Sequence, residues 1–105
     1  MRLYQRPKGL TMRSDLYETI ALQFFTPGHR HHDDLVTGLR EEAAEVNSAI
    51  HLGTRKQVLD ELGDVLWYVT IMANYEGSSL SEIMKINYEK LEERAINGKK
   101  GNNNA

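Results

Sequence analysis

Cysteine is absent from the 105-residue chain. That absence excludes disulfide staples and thiolate metal sites together, leaving oxygen and imidazole as the donors open to a metal ion, and it fits a reducing cytoplasm. Proline occurs only at Pro7 and Pro27, so nothing in the long remainder of the chain prevents helix formation. No apolar run approaches the ~18 residues of a membrane span. The opening segment, MRLYQRPKGLTMR, carries Arg2, Arg6, Lys8 and Arg13 but lacks the apolar core of a signal peptide, and reads as a basic arm over residues 1–13. A large excess of one charge is also missing: the formal net charge of −2 provides no bulk attraction to nucleic acid. With no repeat and no second domain, so short a chain buries only a modest part of its surface alone, and association with copies of itself is expected.

What is present is helical punctuation. The segment DLYETIALQFF, residues 15–25, predicts a first helix, and a second is expected from about Asp33 and Asp34 to Leu52, ended by Gly53. Thr54 with Gln57, and Ser79 with Glu82, have the form of capping boxes and set the starts of helices three and four, whose stops are expected at Gly77 and Gly98. The residues after it, 98–105, hold nothing able to anchor a core and are expected to be a disordered tail. Four helices joined by short turns predict an all-α, four-helix antiparallel bundle over residues 14–97, with its core completed by dimerisation.

Carboxylates crowd this frame in an unusual way. GLREEAAEV places Glu41, Glu42 and Glu45 within little more than one helical turn, although like charges three or four residues apart repel. At about 100° per residue, Leu35, Leu39, Val46, Ala49 and Ile50 form an apolar stripe that contains Glu42 and has Glu45 at its edge, while Glu41 turns toward the polar side. In helix three, Glu61 and Asp64 lie between the apolar line of Val58, Leu62, Val65, Val69 and Met72 and the surface continued by Trp67 and Ile71. Acidic residues on helices ordinarily form a solvated face, but a carboxylate within an apolar stripe is costly unless it is paired or bound to a cation. Antiparallel packing of helices two and three lets Glu42 and Glu45 face Glu61 and Asp64. Such a cluster must protonate or recruit cations. Oxygen donors alone suit Mg²⁺ best, with Mn²⁺ as a substitute.

Helix four repeats the arrangement with opposite charge. Asn87, Lys90 and Arg94 share a stripe with Leu80, Ile83 and Leu91. Alone, the two cations would read as snorkelling surface residues. Beside an acidic metal site, Arg grips phosphate oxygens bidentately, Lys adds a compact charge and Asn87 meets a hydroxyl, a phosphate or a water. Together the two walls suggest a polyphosphate site.

The order Glu41-Glu42-x-x-Glu45, a spacer, then Glu61-x-x-Asp64 resembles the EExxE…ExxD signature of the MazG-like, all-α nucleoside triphosphate pyrophosphohydrolases. Asn87, Lys90, Leu91 and Arg94 are similar to the last core helix of that family, and the resemblance covers roughly residues 14–97. It implies Mg²⁺-dependent hydrolysis of a nucleoside triphosphate between the α and β phosphates, in a helical dimer or a tetramer of two dimers. It further implies Glu42, Glu45, Glu61 and Asp64 as metal ligands, and Lys90, Arg94 and Asn87 as substrate contacts. Glu41 would orient or deprotonate the attacking water, or support the other acids.

Other residues leave alternatives open. Trp67, three residues beyond Asp64, would stack a base or pack a dimer core, and Phe24, Phe25 and Tyr68 share that ambiguity. The cluster of His29, His31, His32, Asp33 and Asp34 invites a zinc reading, but its histidines precede a helix and only His51 lies elsewhere; a capped loop is the expectation. The basic arm suits an embrace of a partner chain better than nucleic acid. Against an enzyme stands a non-catalytic helical module that binds cations or a protein partner. Such a module has no need of the Asn87, Lys90 and Arg94 stripe.

Overall fold

A computed structural model describes residues 12–25 and 32–100. Their regular structure is entirely helical: α1 (Ser14–Leu22), α2 (His32–Leu52), α3 (Arg55–Tyr75) and α4 (Leu80–Lys100). The all-α expectation holds. The basic arm up to residue 11, His29 and His31 with their loop, and the tail from 101 onward lie outside the described residues. No helix is long and apolar enough to cross a membrane among those described.

Local chemistry accounts for most boundaries. Asp33 and Asp34 place negative charge on the first turn of α2, where it complements the helix dipole. At the start of α3 the capping box is complete, with the Gln57 N–H donating to Thr54 Oγ1 at 3.2 Å and the Thr54 N–H to Gln57 Oε1 at 2.8 Å. Gly77 ends α3 at φ 76°, a left-handed conformation that favours glycine, and allows the Ser78 N–H to return to the Ala73 carbonyl at 2.9 Å.

Two boundaries differ from expectation. The first helix stops at Leu22, and α4 continues past Gly98 to Lys100. At the start of α4, Ser79 Oγ accepts the Glu82 N–H at 3.0 Å, but the Glu82 carboxylate accepts from the Ser78 hydroxyl. The return half of the expected box is not formed by Glu82; instead the next N–H of the helix start is capped from α1, where Glu18 Oε2 accepts the Leu80 N–H at 3.1 Å and Asn74 Nδ2–H at 3.2 Å. One carboxylate thus ties α1, α3 and α4 together.

Helices α2 and α3 form the principal hairpin, while α1 packs on α3 and α4. Leu35, Ile71, Ala21, Ala73 and Leu80 are buried, as is Thr70, whose hydroxyl is satisfied by the Leu66 carbonyl at 2.8 Å. This core is smaller than the sequence stripes suggest. Ile50, Leu62, Ile83 and Leu91, placed on the inward stripes by periodicity, are exposed in the single chain. Beyond Leu80 every described side chain of α4 is exposed, and among the described residues α4 packs against α1 and α3 but not against α2.

Candidate metal centre

The short Gly53–Thr54 turn folds α3 back along α2, so residues equidistant from it on the two helices lie level. Counting outward from Gly53, Glu45 is level with Glu61, Glu42 with Asp64 and Gly38 with Tyr68. Because Glu42, Glu61 and Asp64 also fall on the facing sides of their helices, one carboxylate oxygen from each lies within 4.8 Å of the others. Glu42 and Glu61 are half-buried and Asp64 is exposed.

Electrostatics mark this group as strained in the absence of a counter-charge. Burial raises the Glu42 carboxyl above its ordinary range, and the negative charges of Asp64, Glu61 and Glu45 push it further. Burial also raises Glu61, followed by the charges of Glu45 and Asp64. The two are hydrogen-bonded to each other, in the sense that favours a proton on Glu42 donated to Glu61. Carboxylates whose mutual repulsion favours the protonated form are suited to a hard divalent cation, which would supply the missing counter-charge.

Glu45 lies outside the triad. It lines, with Glu61 and Gln57, an adjoining cavity of about 220 Å³ toward the α2–α3 turn. Glu41 is exposed. Asn87, Lys90 and Arg94 are exposed on α4, and no described ion pair joins Lys90 or Arg94 to the acidic cluster. The acidic wall is thus assembled by α2 and α3, with no described ion pair tying the cationic stripe of α4 to it. Trp67 turns toward α1: its Nε1–H donates to the Ala21 carbonyl at 3.1 Å, and its ring meets Phe25 at 6.4 Å and Tyr68 edge-on at 5.1 Å.

Sequence reasoning missed one neighbour of the cluster, Tyr17, and read another, Tyr68, only as a base-stacking or dimer-core residue. The Tyr17 phenol on α1 is raised by burial and then by the charge of Asp64. Tyr68 on α3 is raised by burial and then by Glu42, Glu41 and Asp64. Tyr17 had no local signal. Tyr68 had one in Gly38, a glycine within a helix, which commonly marks a close approach.

An all-α hairpin that converges three carboxylates from two helices defines a class of domain able to hold a divalent cation through oxygen alone. Residues 30–98 match the family model of the MazG nucleotide pyrophosphohydrolase domain. The chain belongs to that family. No curated protein and no solved structure matches it significantly.

Proposed function

We propose that the protein hydrolyses (deoxy)nucleoside triphosphates between the α and β phosphates, releasing the monophosphate and pyrophosphate. Mg²⁺ is the assigned cation and Mn²⁺ its substitute, and the role is removal of unwanted nucleotides from the cytoplasmic pool. The observation that carries this reading is the convergence of Glu42, Glu61 and Asp64 in a member of a nucleotide pyrophosphohydrolase family.

Each residue then has a task. Glu42, Glu61 and Asp64 hold the cation, and Glu45 extends the ligand set from the side of the turn. When bound, the cation supplies positive charge against the phosphate oxygens and acidifies a water. Glu41, on the exposed flank, orients or deprotonates that water. Lys90 and Arg94 grip phosphate oxygens, and Asn87 completes the substrate contacts. What remains is alignment of the attacking water with the departing pyrophosphate, which rigid placement on helices favours.

The cations of α4 require an assembly to reach the acids. We assign a homodimer, or a tetramer of dimers, in which α4 of one copy lies over the α2–α3 seam of another. Two features support it: the exposed apolar line of Leu59, Leu62 and Leu66 on α3, and the exposed Ile83, Met84 and Leu91 on α4. A non-catalytic cation-binding module accounts for the triad but not for Asn87, Lys90 and Arg94.

The test is turnover of a panel of nucleoside triphosphates with Mg²⁺. Glu61→Gln should abolish it while leaving the helical circular dichroism intact. Absence of turnover on every nucleotide, with cation binding retained, would favour the module.

A further inference from the structure

The seam that gathers the carboxylates has one more rung. Gly38 stands one turn before Glu42 on α2, and Tyr68 one turn after Asp64 on α3. Gly38 is buried, and a Cβ at this position would overlap the Tyr68 ring at Cε1, Cζ and the hydroxyl oxygen. Glycine inside a helix costs about 0.5–1 kcal/mol relative to alanine, so α2 gives up stability where the ring of α3 is seated. The ring also meets the neighbouring Trp67 edge-on at 5.1 Å, and the indole N–H is anchored to the Ala21 carbonyl of α1. The ring is therefore seated against the α2 backbone and in contact with an indole fixed to a third helix. Its hydroxyl has no hydrogen-bond partner among the described residues, so its contribution here is the ring itself.

Spacing matters acutely beside this seat. An octahedral Mg²⁺ or Mn²⁺ with oxygens at about 2.1 Å places neighbouring ligands roughly 3.0 Å apart and opposite ones roughly 4.2 Å apart. The three oxygens of the triad lie within 4.8 Å of one another, a range commensurate with sharing one ion, so added separation of α2 from α3 would work against binding.

We propose that Gly38 and Tyr68 form a seat that sets the α2–α3 distance at the carboxylate triad, making Tyr68 a positioning residue for the bound cation. This rests on the proposed cation-dependent function. Gly38→Ala forces the ring or the helix to move, and the triad opens. Tyr68→Phe keeps the ring and the spacing, whereas Tyr68→Leu removes the wedge. In the Gly38→Ala background, however, Tyr68→Leu makes room for the new methyl group and lets the helices close again.

Mn²⁺ alone is the probe, titrated calorimetrically and by electron paramagnetic resonance below the melting temperature of each variant. Gly38→Ala should weaken Mn²⁺ binding by roughly tenfold, the scale seen when groups supporting metal ligands are altered. Tyr68→Phe should match wild type, Tyr68→Leu should bind more weakly, and the double variant should recover most of the loss. Should Gly38→Ala fail to fold, the contrast between Tyr68→Phe and Tyr68→Leu still decides the matter. Wild-type affinity in Gly38→Ala or in Tyr68→Leu, or a double variant no better than Gly38→Ala, would overturn the seat alone. Failure of the wild-type protein to bind Mn²⁺ would overturn the cation reading and the seat with it.

Discussion

Removing one charge from the carboxylate triad should stabilise the metal-free protein and destabilise it relative to wild type once Mg²⁺ is present. Glu42 and Asp64 place oxygens within 4.8 Å. Two full charges at that separation repel by about 1 kcal/mol in a water-like dielectric and by roughly 3.5 kcal/mol at an effective constant of 20. Asp64 is exposed, so solvent screening selects the lower figure. Asp64→Asn should therefore raise metal-free stability by about 1 kcal/mol, or roughly 4–8 °C in Tm for a domain of this size. Mg²⁺ acts in the opposite order, because a ligand at a hundredfold excess over its Kd stabilises an intact site by about 2.7 kcal/mol. Thermal melts of both proteins at neutral pH, with and without Mg²⁺, should consequently cross: the variant melts higher without the cation and lower with it. A variant less stable than wild type in metal-free buffer, with an undiminished Mg²⁺ shift, would refute the reasoning and return the acids to an ordinary solvated face.

Three other perturbations probe separate parts of the account. Glu18→Ala leaves the Leu80 N–H without its charged acceptor and cuts the tie among α1, α3 and α4; chemical denaturation should show a loss of about 2 kcal/mol, with a smaller loss for Glu18→Gln. Glu42 and Glu61 are raised above the ordinary 4.5, so between that value and their folded values the native state binds more protons than the unfolded chain. Their contribution to metal-free stability is greatest below 4.5 and falls as pH rises through the window, so the melting temperature should rise more in wild type than in Glu42→Gln/Glu61→Gln as the pH is lowered from neutral to 4.5. Finally, Glu61→Gln and Arg94→Ala, each inactive, should regain about a quarter of wild-type turnover when mixed and allowed to exchange in a dimer that shares its sites; no recovery despite subunit exchange would place both walls within one chain.

Punctuation made the hairpin legible, because its signals are local. Thr54 and Gln57 bond only each other's backbone across one turn, and Gly77 needs only its own φ, so sequence spacing suffices to locate both. From the hairpin followed the facing of Glu42 and Glu45 toward Glu61 and Asp64, of which Glu42, Glu61 and Asp64 converge in the single chain. The second half of the α4 cap was not legible, because Glu18 reaches Leu80 through tertiary folding and no spacing rule links them. Periodicity also assigned Leu62, Ile83 and Leu91 to an interior that the single chain does not provide. A helical period identifies which residues share a face, without identifying whether that face meets its own chain. Likewise, Asn87, Lys90 and Arg94 were recognisable as a stripe, but their distance from the acids depends on the course of α4. For Trp67 the sequence left base stacking and dimer packing open, and its bond to the Ala21 carbonyl at the end of α1 had no local signal.

The most direct measurement of the central claim is the identity of the phosphorus products. The protein should be incubated with a nucleoside triphosphate and Mg²⁺ and the mixture followed by ³¹P magnetic resonance, with Glu61→Gln as the control. Nucleoside monophosphate and pyrophosphate should appear in equal amounts, growing together and absent from the control. Release of orthophosphate with nucleoside diphosphate would contradict cleavage between the α and β phosphates.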